Sequence, residues 1–119
     1  MKLTGKASAL FILGRPFTSL LGAVAIFAAS FVGSGTKLGA YGLEVALGVL
    51  IGYLFTSASN ALNDYYDRDI DRINHPERPI PSGAISAKTA LAFSLVSFAV
   101  SVALAGVLAA FAGMATFGV

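Results

Sequence analysis

Most of the side chains that could do chemistry lie in one stretch, residues 60–83, which reads NALNDYYDRDIDRINHPERPIPSG. Four of the six acidic residues of the chain lie between positions 64 and 71, and three of its eight basic residues and its single histidine lie in the same stretch. Charge is costly inside a bilayer, and the residues before this cluster are apolar. The cluster must therefore lie at a membrane interface or line a wet cavity, which makes it a candidate site.

Helical spacing brings most of these acids together. If the stretch continues the preceding helix, each residue advances about 100° around the axis. One arc of that helix then holds two amides and three carboxylates: Asn60, Asn63, Asp64, Asp67 and Asp71. Asp69 falls on the opposite side, so the spacing predicts that Asp69 does not belong to the cluster.

Carboxylates stacked on one helix face repel one another, and a divalent cation would neutralise them. The ligands are hard oxygens, and the chain has no cysteine and only one histidine, which favours Mg²⁺ over zinc. Because Mg²⁺ is usually held by one or two carboxylates and by phosphate oxygens, the pattern predicts a phosphorylated ligand. Arg72 and Arg78 follow the acids, and guanidinium groups suit phosphate oxygens.

Composition places the chain among membrane proteins. Hydrophobic residues make up 56% and charged residues 12% of the 119 positions, and the mean hydropathy is +0.80. The net charge of +2 is small and the basic residues form no stripe, so no nucleic-acid partner is expected. The apolar runs predict an all-α, multi-span helical protein with three transmembrane helices at about residues 16–36, 42–63 and 86–112.

The basic residues predict the orientation of these spans. Lys2, Lys6 and Arg15 precede the first span and four basic residues lie in the second connection, whereas Lys37 alone lies in the first connection. By the positive-inside rule, the N-terminus and the aspartate-rich loop are cytoplasmic, in a protein of the cell membrane. An interfacial helix is expected before the first span, because Arg15 and Pro16 interrupt what would otherwise resemble a signal peptide.

The motif NDxxDxxxD, formed by residues 63–71, and the motif RPxPSG, formed by residues 78–83, resemble the first aspartate-rich motif of the UbiA superfamily of intramembrane prenyltransferases. Arg15 and Pro16 resemble a short Arg-Pro signature before the first membrane helix of that family. Within the superfamily, the stretch DRINHPERPIPSGAIS is most similar to the archaeal geranylgeranylglycerol-phosphate geranylgeranyltransferases, and next to the chlorophyll synthases and quinone-pathway enzymes.

The resemblance implies a bundle of nine helices with a second aspartate-rich motif in its other half. Outside the cluster this chain has only Glu44 and Glu77 as acids, so that second motif is not present. We therefore expect residues 1–119 to form the N-terminal part of a UbiA-type domain, inactive alone, whose remaining helices lie elsewhere in the same fold.

The resemblance also implies a reaction, the Mg²⁺-dependent transfer of a prenyl group from an isoprenyl diphosphate to a lipid or aromatic acceptor within the membrane. Asp67 and Asp71 are the predicted catalytic residues, because they hold the cation that draws off the leaving diphosphate. The predicted metal ligands are Asn63, Asp64, Asp67 and Asp71, and the predicted substrate-binding residues are Arg72, Arg78, Asn60 and Arg15.

Three acceptors and one non-enzymatic function stay open at this point. The first acceptor expected is geranylgeranylglyceryl phosphate, in ether-lipid synthesis, and the alternative acceptors are a quinone-precursor aromatic acid and a chlorophyllide. A reading from another class is a non-enzymatic membrane subunit that binds divalent cations. It explains the acids, yet it gives no reason for the arginines and the proline-rich segment that follow them.

Overall fold

The computed structural model describes residues 5–34 and 41–117, and these ranges contain helices and no strand. The helices are α1 (Gly5–Leu13), α2 (Pro16–Ser34), α3 (Gly42–Tyr66), α4 (Arg68–Asn74) and α5 (Ala87–Phe117). The predicted all-α class is therefore confirmed. The predicted end of the first span at residue 36, and Lys37 after it, lie outside the described residues.

Two of the described helices are long and apolar enough to cross a bilayer. They are α3 and the segment Ala87–Ala110 of α5. A third candidate span is the pair α1 and α2, whose segments Ala7–Leu13 and Pro16–Val32 meet at an angle of 57°. Large apolar side chains such as Phe17, Val32 and Val102 are exposed along the outer faces, as expected where the surroundings are lipid or further helices.

Helix α3 is the centre of the packing, since α2 lies on one side of it and α5 on the other. Small residues bring α2 and α3 together: a Cβ atom built on Gly52 would lie only 2.9 Å from Cγ1 of Ile26. Against α5, the Ser94 hydroxyl donates to the Ala58 carbonyl at 2.9 Å. Close backbone approach of this kind is how helices associate in membranes, where apolar burial gives no driving force.

A fully buried apolar cluster lies at one end of the bundle. Leu13, Ala61 and Ala90 form it, and Leu10, Ile80 and Phe93 pack against it. Helices α1, α3 and α5 and the loop after α4 each contribute to this cluster. The end of α1, the end of α3 and the start of α5 are thereby held at the same level, where the acidic cluster also lies.

The predicted helix through residue 71 is interrupted, which corrects the sequence analysis. Helix α3 ends at Tyr66, and α4 begins at Arg68 after Asp67, whose ψ of 5° is not helical. The interruption places Asp69 and Asp71 in the first turn of α4, where the helix dipole favours negative charge. The backbone bonds from Asp67 to Asn63 (2.9 Å) and from Asp71 to Asp67 (2.8 Å) persist, so the angular order of the acids is largely kept.

Close packing at Gly14, between α1 and α2, gives a test of this arrangement. A Cβ atom at Gly14 would lie 2.0 Å from the Ser57 Oγ and 3.2 Å from the Ser57 Cβ. We expect Gly14→Ala to lower the free energy of unfolding by about 1–3 kcal/mol. Thermal melts in detergent measure this, and Ser57→Ala should restore part of the loss.

Gly106→Ala is the matched control, because a Cβ atom there meets nothing within 4 Å. Since alanine favours a helix over glycine by up to about 1 kcal/mol, this change should leave the stability unchanged or raise it. Equal losses at both positions would contradict the packing described here.

Candidate functional site

Two ion pairs at the end of the bundle that holds the apolar cluster bring acids and arginines together. Arg15 Nη2 donates to Asp64 Oδ1, and Arg78 Nη1 donates to Asp71 Oδ1 at 2.9 Å. Both carboxylate side chains are only 4% exposed, whereas Arg15 is 36% and Arg78 is 29% exposed. Each arginine therefore joins a buried carboxylate to the open side of the site. We call these four residues the carboxylate site.

The two pairs are neighbours rather than separate features. Asp64 interacts electrostatically with Asp71 and with Arg78 as well as with Arg15. Two buried carboxylates with two guanidinium groups balance in formal charge, so the group as a whole is neutral. A buried charge without such compensation would be costly, and this explains why both arginines turn inward.

The elbow between α1 and α2, formed by Gly14 and Arg15, presents the first arginine. Pro16 has no backbone N–H and cannot continue α1, so it starts α2 instead. Arg15 itself has a φ of 52°, in the left-handed region that a side chain makes unfavourable by about 1–2 kcal/mol. A conformation of this cost persists only where the surroundings fix it.

Two side chains fix the Gly14 carbonyl at this elbow. The Ser19 hydroxyl donates to it at 2.8 Å, and the Asn60 amide Nδ2 donates to it at 3.0 Å. Both Ser19 and Asn60 are buried. The sequence analysis missed Gly14 and Ser19, and its only signal at this place was the helix-breaking Arg-Pro pair.

The loop between α4 and α5 presents the second arginine. Pro79 is buried, and Ile80 packs on the apolar cluster of Leu13, Ala61 and Ala90. The loop is closed by a backbone bond from Ile85 to the Pro79 carbonyl at 3.2 Å. Anchored immediately after Arg78, the loop keeps that side chain beside Asp71.

The remaining predicted residues lie outside this buried group. Asn63, on α3, and Asp67, between α3 and α4, are both exposed, although the helical spacing grouped them with Asp64 and Asp71. Arg72 pairs with Asp69 at 3.4 Å, and both of these side chains are largely exposed. Among the predicted residues, the structure thus brings together Arg15, Asp64, Asp71 and Arg78, with Asn60 at the elbow, whereas Asp69 lies apart as its helical position predicts.

The donor set suits a hard cation. One carboxylate oxygen, Asp71 Oδ2, is buried and has no hydrogen-bond partner among the described residues, and Asp64 and Asp71 offer only oxygen. Mg²⁺ commonly uses one or two protein carboxylates and takes further oxygens from phosphates and water. Within the part of the chain that the structure describes, no three His, Cys, Asp or Glu residues are arranged to hold a metal ion. The described carboxylates therefore fit Mg²⁺ in chemistry, and by themselves they would supply only part of its ligands.

The two kinds of ion pair predict different effects on stability. Asp64→Ala leaves Arg15 without its partner beside a buried surface, so we expect a loss of about 1–2 kcal/mol in the free energy of unfolding. Asp69→Ala removes a pair whose carboxylate side chain is 78% exposed, and it should cause no measurable loss. Thermal melts in detergent compare the two variants, and a larger loss for Asp69→Ala would refute the assignment of the buried pair.

Comparison with known proteins shows which proteins this chain is similar to. A digeranylgeranylglyceryl phosphate synthase of Halobacterium salinarum is 45% identical over 98 residues, covering 81% of this chain and 34% of that protein. The synthase of the same name from Methanosphaera stadtmanae is 43% identical over 90 residues, covering 76% and 31%. That from Methanococcoides burtonii is 52% identical over 62 residues, covering 52% and 22%.

The chain thus spans about a third of the length of the first curated relatives that it matches. No solved structure matches it. Residues 17–119 match the description "UbiA prenyltransferase family", and this range includes both buried carboxylates and Arg78. The chain therefore belongs to the UbiA prenyltransferase family, an assignment that agrees with its apolar helices and makes it part of an integral membrane protein.

Proposed function

We propose that the intact protein transfers a prenyl group from an isoprenyl diphosphate to a lipid acceptor within the membrane, and that this chain supplies one half of the diphosphate site. The observation that carries the proposal is the carboxylate site itself. Two buried acids, each paired with a partly exposed arginine, lie where apolar helices end. A diphosphate with a hydrocarbon tail requires that combination of a charged pocket beside an oily one.

In this proposal the acids and arginines have different tasks. Asp64 and Asp71 would hold Mg²⁺, and the exposed Asn63 and Asp67 would serve as further oxygen ligands. Arg15 and Arg78 direct their remaining N–H groups to the diphosphate, and Arg72 joins them if its exposed pair with Asp69 opens. The positive charge of a bound Mg²⁺ would stabilise the diphosphate leaving group.

The apolar helices contribute the dry surroundings of the reaction. Helices α2, α3 and α5 carry no charged side chain along most of their length. Such walls hold the prenyl tail and exclude water that would otherwise capture the cationic carbon. We propose that helices elsewhere in the intact protein close the other side of this cavity and that the 119-residue chain alone is inactive.

The acceptor we propose is geranylgeranylglyceryl phosphate, in the synthesis of ether lipids. The names of the similar archaeal proteins support this choice, since each is a digeranylgeranylglyceryl phosphate synthase. We also propose that the N-terminus and the loop after α4 face the cytoplasm at the cell membrane, on the distribution of basic residues.

Replacing single acids in the intact enzyme tests the proposed roles. Asp71→Ala and Asp67→Ala should reduce prenyl transfer by at least about a hundredfold, because the leaving diphosphate loses charge stabilisation. Asp69→Ala is the matched control on α4 and should have a mild effect. The measurement is Mg²⁺-dependent diphosphate release from geranylgeranyl diphosphate in detergent, and equal losses at all three positions would overturn the assignment.

The acceptor is tested in the same assay. Geranylgeranylglyceryl phosphate, 4-hydroxybenzoate and a chlorophyllide are offered in parallel to the intact protein. We expect product only with geranylgeranylglyceryl phosphate, and a prenylated aromatic product would replace that acceptor in the proposal. A membrane subunit that only binds divalent cations would release no diphosphate with any acceptor.

A further inference from the structure

Asn60 lies one helical turn before Asp64 on α3, so the two side chains share a face of that helix. Asn60 is buried, and its amide points to the elbow. A carbonyl oxygen can only accept, so it is the Nδ2 donor that contacts Gly14, at 3.0 Å. One face of α3 thus contacts the elbow twice, through Asn60 at its backbone and through Asp64 at the Arg15 guanidinium.

The contact of Asn60 with the Gly14 carbonyl helps to set the position of the Arg15 backbone. The peptide between Gly14 and Arg15 is planar, so a fixed Gly14 oxygen also fixes the nitrogen and Cα of Arg15. The Ser19 hydroxyl holds the same oxygen from α2 at 2.8 Å. Together these donors stabilise the left-handed φ of 52° at Arg15, a conformation that is unfavourable because Arg15 is not a glycine.

We propose that Asn60 is a positioning residue that acts through Arg15. In this role Asn60 does not bind the diphosphate itself, which differs from the substrate-binding role expected in the sequence analysis. By holding the Gly14 carbonyl, Asn60 fixes the Cα position of Arg15. From that position the guanidinium reaches Asp64, and its other side stays exposed. The role of Arg15 toward a diphosphate rests on the proposed function. The coupling between Asn60 and Arg15 does not.

A double-mutant cycle in the intact protein tests this inference. The variants are Asn60→Ala, Arg15→Gln and the two combined, and the probe is inorganic pyrophosphate at saturating Mg²⁺, followed by isothermal titration calorimetry. Asn60→Ala should raise the dissociation constant about tenfold when Arg15 is present. When Arg15 is already glutamine, the same change should raise it by less than about twofold, because the residue through which Asn60 acts is gone.

Two further variants keep the test interpretable. Ser19→Ala removes the other donor to the same carbonyl and should weaken pyrophosphate binding about threefold, again only when Arg15 is present. Ser59→Ala is the matched control on the same turn of α3, since its hydroxyl bonds the Phe55 carbonyl of its own helix at 2.9 Å. It should leave pyrophosphate binding unchanged. If Asn60→Ala weakens binding by the same factor in both backgrounds, Asn60 contacts the ligand or acts by another route, and the inference is wrong.

The same four proteins of the cycle are also melted without ligand. Losses in melting temperature that do not add establish the coupling between Asn60 and Arg15, whereas additive losses overturn it. If the wild-type protein bound no pyrophosphate while the melting cycle still showed coupling, the proposed function would be rejected and the role of Asn60 toward Arg15 would stand.

Discussion

A carboxylate at the end of an apolar helix must have a cation within reach, and the pairing of Asp64 with Arg15 meets that constraint across 49 residues of sequence. Desolvation makes an unpaired buried acid costly, so the pair can form only if the elbow comes to the end of α3. Three features bring the elbow there: the break between α1 and α2, the left-handed backbone of Arg15, and the side chains that donate to the Gly14 carbonyl. The polar site therefore determines the local fold as much as the fold positions the site.

The apolar cluster directly beside the carboxylate site anchors the backbone near the charged residues. Leu13 precedes the elbow, Ala61 precedes Asp64 by one turn, and Ile80 follows Arg78 in the loop. Three of the four charged partners, Arg15, Asp64 and Arg78, thus lie within three residues of a member of this cluster or of a residue packed against it. Long, flexible side chains lose much entropy when they are held in one geometry, and this anchoring of their backbones reduces that loss.

Much of the fold and part of the site could be predicted from the sequence, for reasons visible in particular residues. Uncharged runs of about twenty residues identify spanning helices because the bilayer sets their length. Helical spacing separated Asp69 from Asp64 and Asp71, and in the structure Asp69 is exposed and pairs with Arg72. The same spacing grouped Asn63 and Asp67 with Asp64 and Asp71, although both are exposed, because burial depends on packing as well as on helical position. The interruption at Asp67 was missed, because a continuous helix and two helices with preserved backbone bonds have the same residue pattern. The pairing of Arg15 with Asp64 and the bond from Asn60 to the Gly14 carbonyl join segments 49 and 46 residues apart, which no local spacing encodes. The pairing of Arg78 with Asp71 spans seven residues and depends on the conformation of the loop after α4.

The arginines of the site combine two requirements that would otherwise conflict. A lysine paired with a buried acid offers a single compact charge, whereas a guanidinium has five N–H donors in a rigid planar fork. Arg15 uses Nη2 and Arg78 uses Nη1 for the carboxylates, and both side chains remain partly exposed. Donors not directed at Asp64 or Asp71 are therefore available on the open side, where the proposed diphosphate would lie. Compensation of the buried acids and recognition of an anionic ligand can thus be performed by the same two residues, provided that their backbones are fixed as firmly as the elbow and the proline-rich loop fix them.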